Sequence, residues 1–70
     1  MSTTLTLTLN GETRTLPAVS TVADLLATIG LDVRKVAVER NEEIVPRSAY
    51  GQTLLASGDA LEIVHFIGGG

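Results

Sequence analysis

The chain opens with a strict alternation of apolar and polar residues. In residues 4–9 leucines alternate with threonines, so the leucines share one face of an extended segment and the threonines share the other. Asn10-Gly11 follows, a dipeptide typical of a two-residue hairpin turn, because both turn positions need a positive φ. The pattern predicts a half-buried strand over 4–9 and a returning strand over 12–17, which ends at a proline.

A helix is predicted between Thr21 and Gly30. Thr21 and Asp24 have the spacing of a capping box, in which each side chain bonds to the backbone N–H of the other residue. Gly30 lies where a left-handed residue commonly ends a helix. Between them, apolar residues recur at the spacing of one helical face, namely at Val22, Leu25, Leu26 and Ile29.

The second half of the chain predicts three further strands, at 35–40, 44–45 and 61–66. A turn at 41–43 joins the first two of these. Pro46 stops the short strand, because it has no N–H for a sheet ladder. The segment 47–55 is predicted to be irregular, with one helical turn around 49–51.

The order of strand, strand, helix, strand, short strand, strand predicts an α+β domain. One helix is expected to cover one face of a small mixed sheet of five strands. The last strand is expected to lie beside the first and parallel to it, since the connection between them contains a helix and allows a crossover. This is the β-grasp, or ubiquitin-like, arrangement. We expect a single domain over residues 1–70, with a glycine tail at 68–70.

Composition narrows the functions open to this chain of 70 residues. It contains no cysteine, so a disulfide or a thiolate metal cluster is excluded. Its net charge of −3 does not suit nucleic acid or an anionic membrane surface, and neither is expected as a partner. The first residues lack the basic and apolar regions of a secretory signal, so we expect a cytoplasmic protein.

Catalysis within the domain is not expected. His65 is the single histidine, and nothing local suggests the orienting group that a nucleophile–histidine pair needs, so it is interpreted as a strand residue at the sheet rim. Asp59 and Glu62 are interpreted as turn and solvent-face residues rather than as an acid/base pair. One histidine and dispersed carboxylates also give no metal-ligand spacing. We therefore expect no catalytic residue, no metal and no cofactor of its own.

Three glycines, Gly68, Gly69 and Gly70, follow the last predicted strand. A glycine tail has no side chains and can thread a slot too narrow for a Cβ. Its terminal carboxylate becomes electrophilic when it is coupled to AMP as a mixed anhydride, which a sulfur nucleophile can attack. The alternative is an inert chain end, since chain ends are commonly disordered.

The last strand supplies a second candidate feature beside these glycines. If Leu61 and Ile63 point into the core, Val64 and Phe66 point outward. Exposed apolar residues of this kind are typical of protein-docking surfaces. We therefore predict that Val64, Phe66 and Ile67 bind a partner, unless the preceding loop covers them.

Residues 36–47, which read Val-Ala-Val-Glu-Arg-Asn-Glu-Glu-Ile-Val-Pro-Arg, resemble the middle of ThiS, the sulfur carrier family of thiamine biosynthesis. Leu54, Gly58-Asp59, Leu61-Glu62-Ile63 and the three final glycines resemble its second half. Residues 4–30 match only as the generic opening of a β-grasp domain. Such carriers typically end in two glycines, whereas this chain ends in three. A second departure is Glu39-Arg40, which is more charged than the family pattern.

The resemblance implies a carrier in thiazole formation for thiamine. A ThiF-like adenylyltransferase would adenylate the Gly70 carboxylate with ATP and magnesium, both bound by that partner. A persulfide sulfur, ultimately from a cysteine desulfurase, would displace AMP and leave a thiocarboxylate. A ThiG-like thiazole synthase would then take the sulfur. The free carrier is expected to be a monomer.

Three other functions remain open from the sequence. The small subunit of molybdopterin synthase is also a β-grasp carrier with a glycine end. A ubiquitin-like modifier would use the same tail to form isopeptide bonds with lysines. A plain interaction domain would carry an inert tail. The Val-Pro-Arg run at 45–47 and the short chain favour the thiamine pathway over molybdopterin synthesis.

Overall fold

The computed structural model describes residues 3–66, which form one sheet and one α-helix. The strands are β1 (Thr4–Leu9), β2 (Glu12–Pro17), β3 (Val36–Arg40), β4 (Glu43–Val45) and β5 (Ala60–His65), and the helix is α1 (Val22–Ile29). Each predicted strand is confirmed to within one residue at its ends.

The strand order is β2-β1-β5-β3-β4, which places β5 at the centre of the sheet. β1 is antiparallel to β2 and parallel to β5, while β3 is antiparallel to both β5 and β4. The parallel pairing confirms that the last strand returns beside the first. A mixed five-stranded sheet with one covering helix is the predicted β-grasp arrangement.

Both ends of α1 are fixed as predicted. Thr21 Oγ1 accepts a hydrogen bond from the Asp24 N–H at 3.1 Å, and Asp24 Oδ2 accepts one from the Thr21 N–H at 2.9 Å, which completes the capping box. Gly30 has a φ of 77°, and the Leu31 N–H then donates to the Leu26 carbonyl at 3.0 Å. The helix therefore begins and ends where its local sequence satisfies the free backbone groups.

The core lies between α1 and one face of the sheet. Val22, Leu25 and Leu26 are fully buried on the helix, and Ile29 is partly buried. The strands and connections contribute the other buried apolar residues, namely Leu5, Leu7, Leu9, Leu16, Val36, Val38, Val45, Tyr50, Leu55, Leu61 and Ile63. The opposite sheet face carries no helix from the part of the chain that the structure describes.

Two 3₁₀ turns differ from the prediction. The turn expected around 49–51 covers Arg47–Ala49 instead, because Pro46 has a suitable φ of −67° and its carbonyl accepts from the Ala49 N–H at 2.9 Å. A second turn at Val33–Lys35 was not predicted. The Asp32 carboxylate closes it by accepting from the Arg34 N–H at 2.9 Å.

Asp59 lies in the turn before β5, as predicted, but its side chain is buried. Its Oδ2 accepts from the Ala56 N–H at 2.8 Å and from Arg40 Nε at 2.9 Å, and its Oδ1 accepts from Asn41 Nδ2 at 3.1 Å. Burial raises the pKa of this carboxyl, but the three donors and the Arg40 charge outweigh burial and hold it below its ordinary 3.8. This network joins the end of β3 to the start of β5.

Replacing the charge of Asp59 is expected to destabilise the fold. Asp59→Asn leaves the Arg40 guanidinium without its ion-pair partner, so we expect a loss of about 1.5–3 kcal/mol in the free energy of unfolding at pH 7. Urea denaturation measures it. Asp32→Asn is the matched control, because Asp32 pairs with Arg34 at the surface and its loss is expected to be much smaller.

The loss caused by Asp59→Asn is also expected to depend on pH. The folded-state pKa is lowered, so the carboxylate stabilises the fold fully above the unfolded pKa and loses this effect as the pH falls through the folded pKa. The difference between variant and parent should therefore be constant above about pH 5 and should narrow at acidic pH. A difference that stays constant down to acid pH would contradict the role given to the Asp59 charge.

Candidate functional site

The outer face of β5 carries an exposed apolar patch. Leu61 and Ile63 are buried, whereas Val64 is 58% exposed and Phe66 is 53% exposed. The predicted alternation is therefore confirmed as far as Val64, and Phe66, just beyond the strand, is exposed as predicted, although His65 between them is exposed as well. The loop before β5 leaves the side chains of Val64 and Phe66 accessible. We call the outward apolar residues of this sheet face the β5 patch, which comprises Ala37, Ile44, Val64 and Phe66.

Neighbouring strands extend the patch through their register. Val64 lies opposite Ala37 of β3, which is half-buried. Ile44 of β4 lies opposite Glu39 and is 68% exposed. Ile44 was not predicted as part of this surface, because the residues that share one face of three strands depend on the register between the strands.

Two carboxylates lie on the same sheet face as the β5 patch. Glu39 of β3 is directly opposite Glu62 of β5. Like charges in this arrangement destabilise a strand pair. The three ion pairs among residues 3–66 join other residues, so neither carboxylate has a salt-bridge partner there. The β5 patch is therefore an apolar surface that adjoins a pair of acidic residues.

Asn10 holds the end of β5 from the β1 side. Its main-chain N–H donates to the Leu61 carbonyl at 2.8 Å. Its side-chain Oδ1 accepts from the Ile63 N–H at 2.8 Å, and its Nδ2 donates to the Ile63 carbonyl at 3.2 Å. On the β3 side, the Phe66 N–H donates to the Lys35 carbonyl at 2.7 Å. The residues that carry the patch are thus held from both sides.

Four predicted site residues lie outside the described part of the chain. They are the partner-binding residue Ile67, the tail residues Gly68 and Gly69, and the modified residue Gly70. The last described residue is Phe66, which belongs to the β5 patch.

Residues 3–66 offer few other side chains that could take part in catalysis or bind a metal ion. His65 is exposed near the end of β5, opposite Val36. No group of three or more histidine, cysteine, aspartate or glutamate side chains is placed to hold a metal ion in this part of the chain. None of the described helices has the length and apolar character to span a membrane.

Comparison with solved structures identifies proteins with the same fold. The ThiS protein of Geobacter metallireducens, a thiamine biosynthesis protein, superimposes with a TM-score of 0.80 at 35% identity, covering 94% of this chain and all of that chain. A designed protein based on human erythrocytic ubiquitin superimposes with a TM-score of 0.53 at 22% identity, covering 99% and 98%. The fold and its exposed face define a ubiquitin-like β-grasp protein.

Sequence comparison defines the family. The ThiS family model matches residues 7–70. The sulfur carrier protein ThiS of Bacillus subtilis is 48% identical over 50 residues, which are 71% of this chain and 76% of that protein. The chain therefore belongs to the ThiS family.

Curated relatives also include longer proteins. A thiazole synthase of Paramagnetospirillum magneticum is 59% identical over 64 residues, which are 91% of this chain. The match covers 20% of that thiazole synthase and 19% of a second one, from Magnetococcus marinus. The chain thus spans about a fifth of the length of these two relatives.

The exposure of Phe66 predicts that it contributes little to folding. Phe66→Ala is expected to lower the free energy of unfolding by less than about 1 kcal/mol, because the side chain is half in solvent. Leu61→Ala, at a position 1% exposed on the same strand, is expected to cost about 2–5 kcal/mol. Thermal and urea denaturation compare the two. Equal losses would show that Phe66 is a core residue.

Proposed function

We propose that this chain is a sulfur carrier for thiazole formation in thiamine biosynthesis. It acts as a co-substrate rather than a catalyst. The Gly70 carboxylate is the group that is loaded, and Gly68 and Gly69 are its tether. The observation that supports this most directly is the ThiS family match, which runs through residue 70. The exposed Val64 and Phe66, which come shortly before the glycines in the sequence, support it further.

The proposed chemistry occurs in three steps. The Gly70 carboxylate attacks the α-phosphorus of ATP, pyrophosphate leaves, and an acyl-adenylate forms. A persulfide sulfur attacks the acyl carbon and AMP leaves, which gives an acyl disulfide. A thiol then reduces the sulfur–sulfur bond and releases the thiocarboxylate. ATP and magnesium bind the activating enzyme, so the carrier needs no cofactor of its own.

Two enzymes are proposed as direct partners, both in the cytoplasm. A ThiF-like adenylyltransferase activates Gly70, and a ThiG-like thiazole synthase receives the sulfur. The names of two relatives, each a thiazole synthase containing a segment similar to this chain, support the second partner. A cysteine desulfurase supplies the persulfide indirectly. The free carrier is proposed to be monomeric, because two copies that met through the β5 patch would bring Glu39 and Glu62 of one copy close to the same carboxylates of the other.

The loading of the C-terminus can be tested by intact mass spectrometry. The full chain is incubated with its adenylyltransferase, ATP, magnesium and a persulfide donor. We expect a mass gain equal to the replacement of one oxygen by one sulfur, localised to Gly70 by fragmentation. A chain lacking Gly69 and Gly70 is the control and should gain nothing. An unchanged mass in the full chain, with an activating enzyme shown to work on another carrier, would refute the proposal.

Experiments in cells that express the full chain separate the proposal from its alternatives. High-mass conjugates that depend on Gly70, seen in a blot against this protein, would instead support a protein modifier. Recovery of a molybdopterin synthase large subunit in a pull-down with this chain, and of no thiazole synthase, would support the molybdopterin pathway.

The β5 patch is proposed as the docking surface, and a matched pair of valines tests it. Val64→Ala removes apolar area from the patch, whereas Val19→Ala makes the same change at a position 80% exposed in the loop before α1. We expect Val64→Ala and Phe66→Ala to weaken binding to the adenylyltransferase, Phe66→Ala by about tenfold. Titration calorimetry measures the dissociation constants. Val19→Ala should bind as the parent does, and equal effects at both valines would contradict the assignment.

A further inference from the structure

The side-chain amide of Asn10 takes the place of a backbone peptide group in the ladder between β1 and β5. β1 pairs with β5 only at Thr8–Ala60 and Leu9–Leu61, after which the hairpin turns β1 away. In a continuing parallel ladder the Ile63 N–H would donate to the main-chain carbonyl of residue 10, and the Ile63 carbonyl would accept from residue 12. The Asn10 side-chain amide makes both bonds instead, at 2.8 and 3.2 Å.

The position of Asn10 makes this substitution for main chain possible. It has a φ of 51° in the turn, which carries the backbone out of the ladder and leaves the side chain beside Ile63. An amide group offers one acceptor and donors in the geometry of a peptide group. Without it, Ile63 and the residues after it would be held by β3 alone.

The position of Ile63 determines the position of the strand end. Val64 and Phe66 of the β5 patch come one and three residues later, and β5 ends at His65. A partner that holds the patch can present the terminal carboxylate reproducibly only if the strand end keeps one position relative to the domain. Small displacements of a reacting group cost large factors in rate.

We infer that Asn10 is a positioning residue for loading of the C-terminus, acting through its two hydrogen bonds to Ile63. The inference rests on the proposed carrier function. Asn10 is assigned no direct contact with the reacting atoms. Its role is to set the strand end from which the tail is delivered.

The chain contains a matched control for this role. Asn41 has a φ of 52° in the other two-residue hairpin turn. Its Oδ1 accepts from the Ala60 N–H at 2.9 Å and its Nδ2 donates to the Asp59 carboxylate at 3.1 Å. It therefore holds β5 by two side-chain bonds as Asn10 does, but at the beginning of the strand, away from the tail.

The experiment compares Asn10→Gly with Asn41→Gly in the full chain. Glycine accepts the positive φ at both turns, so each variant keeps its hairpin and loses only the amide. Melting temperatures, amide hydrogen exchange at Ile63, and the kcat of pyrophosphate release by the adenylyltransferase at saturating carrier are measured well below both melting transitions.

We expect both variants to melt at lower temperature than the parent. Asn10→Gly should speed exchange at the Ile63 amide and lower kcat about tenfold, since the carboxylate is presented less reproducibly. Asn41→Gly should keep a kcat close to that of the parent. Equal falls in kcat for both variants, or an unchanged kcat in Asn10→Gly, would overturn the inference.

Failure of the carrier function gives a different result. If the parent chain releases no pyrophosphate with an adenylyltransferase that is active on another carrier, the proposed function fails. The exchange rate at Ile63 still reports in that case whether Asn10 holds the strand end.

Discussion

The central position of β5 determines how the rest of the molecule is arranged. A strand with a neighbour on each side must satisfy its peptide groups on both sides, and β5 does so with β1 and β3. Its inward residues Leu61 and Ile63 complete the core beneath α1, while Val64 faces solvent. Successive side chains of the six-residue strand β5 point to opposite faces of the sheet. Those on one face therefore stabilise the fold, and those on the other are available to a partner.

This division carries a cost in the isolated domain. Glu39 and Glu62 face each other across the β3–β5 pair, and the described basic residues that form ion pairs do so elsewhere. Opposed like charges weaken a strand pair, and exposed apolar residues such as Ile44 add no burial to offset this. Opposed carboxylates and exposed apolar residues both lower the stability of the isolated domain. A sheet face that carries both is typical of a surface that binds another protein.

The sequence predicted those features that depend on neighbours along the chain. Alternation located the strands, Thr21 and Gly30 located the helix ends, and Asn10-Gly11 located the first turn. These signals are local, so each could be interpreted without knowing the fold. The parity of Val64 and Phe66 also followed from alternation along a single strand.

The features that were missed depend on contacts between distant parts of the chain. Ile44 joins the patch only through the β3–β4 register, and Glu62 meets Glu39 only through the β3–β5 register. Asp59 is buried because Arg40 and Asn41 reach it from 19 and 18 residues away. The side chain of Asn10 bonds to a residue 53 positions later, although its dipeptide predicted only a turn. Apart from the pairing of Ile44 with β3, these long-range contacts involve β5 or the turn before it. Alternation along β5 therefore predicted Val64 and Phe66, whereas the residues around them depend on strand register and could not be predicted. The two hairpin asparagines hold β5 from opposite sides, Asn41 at its beginning and Asn10 near its end.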